Sequence, residues 1–238
     1  MTSNWYAAHR FSLLLLAEVL LFVLHPLVLA VGFGAWLYHI LFTLVFLAAF
    51  LILFNRPSRR LAAVALGLPA LLASWVDHMP AELPGRPLAV ALLLTGAAFL
   101  GFAVVTILQT IHEAKVVTAD GLAGAFGGYL LAGAAFTLLY SALVLIAPGS
   151  FRGPDELPGQ LAEPVSRRMV LTYYSVMTLT TVGYGDIVPA THSARALACV
   201  EAVVGQFYIA VVMALLIGRS LAHAGGGDNS RAPGGSPH

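Results

Sequence analysis

The sequence predicts an all-α membrane protein: six membrane-spanning helices, with a short re-entrant helix between the fifth and the sixth. Three observations carry this. The 238 residues are 59% hydrophobic and only 10% charged, whereas soluble domains are nearer half apolar and a quarter charged. Six apolar stretches have lengths close to the about 20 residues a helix needs to cross hydrocarbon. A seventh, residues 169–179, is too short to cross and must turn back within the membrane.

The six stretches are residues 11–31, 35–54, 61–76, 88–108, 122–147 and 196–217. The first is longer than the apolar core of a secretory leader, and Glu18 and His25 interrupt it, so it reads as a span. The third has 16 residues and contains Pro69. It draws on Asp77 and His78 at its end or lies where the bilayer thins. The chain then divides into an N-terminus (1–10), a four-helix module (11–108), a linker (109–121), a two-helix module (122–218) and a tail (219–238). Residues 148–168 are rich in Pro, Gly and acid and read as an exposed outer loop. The tail, Gly- and Pro-rich from Ala224, is expected to be unstructured.

Lys and Arg set the orientation. With a cytoplasmic N-terminus, the inner side holds Arg10, Arg56, Arg59, Arg60, Lys115, Arg219 and Arg231. The outer side holds Arg86, Arg152, Arg167, Arg168 and Arg195. The tight loop at residues 55–60 carries the bias, and both termini fall inside. A formal net charge of +1 gives no indication of a nucleic-acid partner or a polybasic anchor. The single cysteine, Cys199, lies in an apolar run without a neighbour at metal-ligand spacing and reads as packing.

The chemistry concentrates after the re-entrant helix, in Thr180-Thr181-Val182-Gly183-Tyr184-Gly185-Asp186. Consecutive carbonyls of an extended L-residue strand point to opposite sides. Aiming them all at one axis requires alternating backbone handedness, which glycine at every second position permits. Gly183 and Gly185 supply it. Such a row of neutral oxygens can replace the water shell of a potassium ion. Val182 and Tyr184 would then pack behind the row, Thr181 would add a hydroxyl at its inner end, and the C-terminal dipole of the re-entrant helix would favour a cation.

This string resembles the selectivity filter of the potassium channel family, TVGYG, matched residue for residue by Thr181, Val182, Gly183, Tyr184 and Gly185, with Asp186 matching the acid that follows. The similarity extends to Tyr173 and Tyr174, at the paired aromatic positions of the pore helix, and to Gly205, where many members have an inner-helix hinge. The resemblance covers about residues 122–218. It implies a homotetramer, each chain contributing a quarter of the carbonyl ring, with Thr181, Val182, Gly183 and Tyr184 coordinating potassium through backbone carbonyls. Potassium is the permeant ion, and no cofactor, enzyme chemistry or nucleic-acid partner is expected. The setting is a cell membrane, with lipids as further partners. Thr180, Tyr173, Tyr174, Asp186 and Glu201 are expected to support the filter. Ile209 and Met213, one and two turns beyond Gly205, are expected to line the cavity below it. Some members place a carboxylate at the position of Met177; this chain does not, leaving Tyr173 as the anchor for Asp186.

The voltage-gated branch of that family carries arginines every third residue in its fourth helix. Residues 88–108 hold neither Arg nor Lys, so strong voltage gating is not expected. Glu18, His25 and His39 are intramembrane polar groups, for which an interhelical hydrogen bond is expected ahead of proton sensing. The rival function class is a non-conducting accessory or sensory subunit that keeps the pore only for assembly.

Overall fold

A computed structural model describes residues 2–28, 34–55, 57–76, 85–114, 116 and 118–228. The chain is mostly helical, with α1 (Thr2–Val28), α2 (Gly34–Phe54), a single 3-10 turn (Pro57–Arg59), α3 (Arg60–Val76), α4 (Arg86–Glu113) and α5 (Ala119–Ile146). There follow β1 (Phe151–Arg152), α6 (Leu157–Ala162), α7 (Pro164–Leu179), β2 (Val188–Pro189) and α8 (His192–Asp228). Among the described residues, four helices are long and apolar enough to cross a membrane: Trp36–Phe54, Arg86–Glu113, Ala119–Ile146 and His192–Leu215. The other two expected spans fall on helices α1 and α3, which are not among these four.

Several boundaries move outward from their expected places. The first helix begins within the expected N-terminal arm. The linker expected at 109–121 shrinks, because α4 runs on to Glu113 and α5 begins at Ala119. Thr118 caps α5, its hydroxyl accepting from the Gly121 N–H at 3.0 Å. The last helix continues to Asp228, past the expected start of an unstructured tail. Arg56, Asp77, His78, Lys115 and Arg231 lie outside the described residues, as do the side chains of His25 and Arg219.

Small residues decide how the helices meet. A Cβ at Gly124 would meet the Phe11 ring at 2.9 Å, and one at Gly128 would meet the Tyr208 hydroxyl at 2.4 Å. Glycines thus let α1 and α8 pack closely on α5. At the start of α5, Asp120 accepts from both the Ser12 N–H and the Ser12 hydroxyl at 2.9 Å. The main core joins Phe46, Phe99, Leu100, Ile107 and Leu131, with Phe46 and Phe99 stacked at 5.7 Å. Glu18 is buried there too, with no hydrogen-bond partner for either carboxyl oxygen. The interhelical hydrogen bond expected of it is therefore not formed among the described residues; a Cβ at Gly127 would lie 3.1 Å from Oε2. His39 is buried edge-on to Tyr38, ring centroids 5.9 Å apart.

Residues 148–163 are mostly exposed, as the composition predicts, but the stretch carries β1 and α6 and a few of its side chains are buried. Phe151, Leu157 and Leu161 enter a second core with Tyr140, Leu171 and Tyr174. Residues 151–152 pair antiparallel with 188–189, Phe151 opposite Pro189. Arg167 and Arg168 are buried in the first turns of α7. The guanidinium of Arg168 lies over the rings of Tyr38 and Phe42 at 5.8 and 5.5 Å, which offsets part of its desolvation.

Candidate ion-conduction site

The site is built on α7, packed between α5 and α8. Pro164 at its first position and the Glu163 carboxylate, which accepts from the N–H groups of Val165 (3.1 Å) and Ser166 (2.5 Å), start the helix. Burial pushes the Glu163 carboxyl up, but these hydrogen bonds and the charge of Arg167 outweigh it, holding the group below the usual range. The helix ends at Leu179. The Thr180 N–H donates to Val176 O at 3.0 Å and the Thr181 N–H to Thr178 O at 3.0 Å. The Thr180 hydroxyl turns back onto Val176 O at 2.7 Å.

Beyond that stop the backbone takes positive φ at alternate residues: 60° at Thr181, 52° at Gly183 and 79° at Gly185. Glycine is needed at the last two for conformation and not for space, since a Cβ at either would have no neighbour within 4 Å. The positive φ of Thr181, which follows directly on the end of α7, is what the sequence does not reveal, because a β-branched residue rarely adopts φ near +60°. In the single chain, residues 180–186 are exposed, Tyr184 at 72%.

The expected supports have specific partners. The Tyr173 hydroxyl donates to Asp186 Oδ2 at 2.7 Å. Gly153 lets β1's neighbouring turn lie against Asp186, whose carbonyl would be 2.9 Å from a Cβ there. Tyr174 is buried edge-on between Tyr140 (5.2 Å) and Phe151 (5.0 Å). Glu201 is fully buried. Its Oε2 accepts from the Tyr140 hydroxyl at 2.6 Å, and its Oε1 lies in a short hydrogen bond with the Ser175 hydroxyl. Gly205 does not stand in open space: a Cβ would come within 2.3 Å of the Leu179 carbonyl oxygen, and α8 runs through it without a break. The same carbonyl accepts from the Tyr129 hydroxyl at 2.8 Å. Tyr129 and Tyr140 carry no sequence motif, and only the packing of α5 on α7 identifies them.

Ile209 and Met213 are exposed on α8 and border an apolar cavity of about 310 Å³ with Phe126, Tyr129 and Tyr208. Much of α8 is uncovered, including Val200, Val203, Phe207 and Val211. Cys199 is on this exposed side and not packed within the chain. Among the described residues, no group of three or more His, Cys, Asp or Glu side chains could hold a metal ion.

Residues 134–219 match a family model described as ion channel, within a helical chain that has four helices, among the described residues, long and apolar enough to cross a membrane. A particular relative is a two pore potassium channel b from Oryza sativa subsp. japonica. The similarity is 39% identity over 75 residues, covering 29% of this chain and 21% of the relative. The matched region thus spans about a fifth of that protein's length. No solved structure matches.

Proposed function

We propose that this chain is one subunit of a homotetrameric, potassium-selective channel that conducts passively across a cell membrane, with both termini on the cytoplasmic side. The observation that carries the reading is the alternation of positive φ at Thr181, Gly183 and Gly185 within a string that reads Thr-Val-Gly-Tyr-Gly. Such alternation would bring successive carbonyls towards one side, the arrangement a dehydrated potassium ion requires. The exposure of residues 180–186 and of the apolar face of α8 supports assembly, because three further copies would cover both. Thr181, Val182, Gly183 and Tyr184 would hold the ion through their carbonyls. Ile209 and Met213 would face the cavity beneath.

The reading also takes six spans and a re-entrant α7, with the four leading helices as a scaffold or a lipid- or ligand-responsive module. Purified protein in liposomes tests it directly. Potassium and rubidium should pass far faster than sodium, and light scattering should give four chains per particle. Equal sodium and potassium fluxes through intact tetramers would end the selectivity claim. Absence of any flux would favour an accessory subunit.

A further inference from the structure

Glu201 is placed where three helices converge. It projects from α8 between Tyr140 of α5 and Ser175 of α7, fully buried. Tyr140 donates to Oε2 at 2.6 Å, leaving Oε1 against the Ser175 hydroxyl. Ser175 Oγ also lies 2.9 Å from the Gly133 carbonyl of α5. A serine hydroxyl has one proton, so it cannot donate to both Gly133 O and Glu201 Oε1. All the contacts are served at once if Glu201 carries a proton on Oε1 and donates it to Ser175 Oγ, while Ser175 donates to Gly133 O. The chain of donors then runs from Tyr140 through Glu201 and Ser175 to Gly133, beginning and ending on α5. No described charged group stands among these contacts to balance a carboxylate, and an uncompensated buried charge is costly.

We propose that Glu201, as the uncharged acid, is a positioning residue that locks the upper half of α8 to α7, and thereby sets how long the proposed filter stays conductive. It acts together with a second lock one turn below, where Gly205 seats on the Leu179 carbonyl at the end of α7. Between them, residues 201–205 of α8 are keyed to both the middle and the end of the helix that leads into Thr181. Movement of α8 that opens an inner gate would then have to arise below Gly205, or else break the bridge and disturb the filter. This inference rests on the channel reading.

The test uses the full-length protein in planar bilayers and, separately, infrared spectroscopy. Glutamine reproduces the uncharged acid, accepting from Tyr140 with its oxygen and donating to Ser175 with its amide. Glu201→Gln should therefore keep burst durations within about twofold of wild type, whereas Glu201→Ala and Ser175→Ala should each shorten them about tenfold, the equivalent of about 1.4 kcal/mol. The double Ala variant should be no worse than the more severe single one, and ion selectivity should be unchanged. A carbonyl band of a protonated acid should vanish in Glu201→Gln and shift in Ser175→Ala. Glutamine as damaging as alanine, additive effects, or no such band would overturn the proposal. If wild-type protein passes no potassium, the channel reading falls, and the infrared band still decides whether the bridge exists.

Discussion

The hydroxyl of Tyr173 donates to the carboxylate of Asp186 at 2.7 Å, tying the middle of α7 to the residue that closes the glycine-containing segment. A hydrogen bond to a charged acceptor is worth about 1.5 kcal/mol or somewhat more, and its partial exposure argues for the lower figure. If it exists only while the segment is ordered, its loss moves that equilibrium roughly tenfold. On the proposed channel reading, Tyr173→Phe and Asp186→Asn should each shorten conducting bursts while keeping the proposed tetramer and ion preference. Their effects should not add, since both remove one bond. Additive effects on burst duration would show the two residues to be uncoupled.

Gly183 has φ of 52° with nothing near the position of a Cβ, so Gly183→Ala strains the backbone without a clash. The left-handed conformation costs an L-residue about 1–2 kcal/mol. Four such residues would meet around one axis. Potassium flux in liposomes should be lost, while size-exclusion chromatography still reports the tetramer.

Gly205→Ala drives a methyl group into the Leu179 carbonyl, which is backbone and cannot swing aside. Overpacking of this kind typically costs about 1–3 kcal/mol. The variant should melt at a lower temperature than wild type and conduct in shortened bursts. A purely hinge-like role for the glycine would instead lower open probability with melting unchanged.

Glu18 is buried with both oxygens lacking a hydrogen-bond partner among the described residues. Replacing a buried, unsatisfied polar group by an apolar one of similar shape recovers part of its desolvation cost, about 1–3 kcal/mol. Glu18→Met should therefore raise the melting temperature of the detergent-solubilised protein. A fall of several degrees would mean that Glu18 has a partner in the assembled membrane protein.

The fourth helix, Arg86–Glu113, has its only arginine at its first residue and no lysine. Each charge that crosses the field is worth about 2.3 kcal/mol per 100 mV, and this helix offers none in its interior. Open probability should change only weakly between strongly negative and strongly positive potentials. A steep activation curve would require a sensor elsewhere in the chain.

Much of this was legible from the residues alone, because the membrane simplifies the problem. Apolar runs long enough to cross must be helical, since nothing in hydrocarbon can satisfy an open backbone. The glycine pair at 183 and 185 is similarly readable, because a conformational demand that only glycine meets leaves a local trace. The outer segment was not readable in that way. Its prolines and acids describe solvent-facing chain, yet Phe151, Leu157 and Leu161 are spaced so that only the folded segment shows them on a common core.

The sequence by itself determined the helical membrane class, the location of the glycine segment and the absence of charge in the fourth helix, since these depend on local composition and backbone limits. The sequence named Tyr173 and Glu201 as supports, and only the tertiary structure supplied Tyr140 and Ser175 as the partners of Glu201. Tyr140, Ser175 and Glu201 are separated by up to 61 positions in the chain, and the positive φ of Thr181 has no trace in its residue type. Gly205 needs its missing Cβ because of one carbonyl on another helix. Such roles arise from which helices pack together and at what register, and a buried hydroxyl or carboxyl group acquires its function from the partner it meets there.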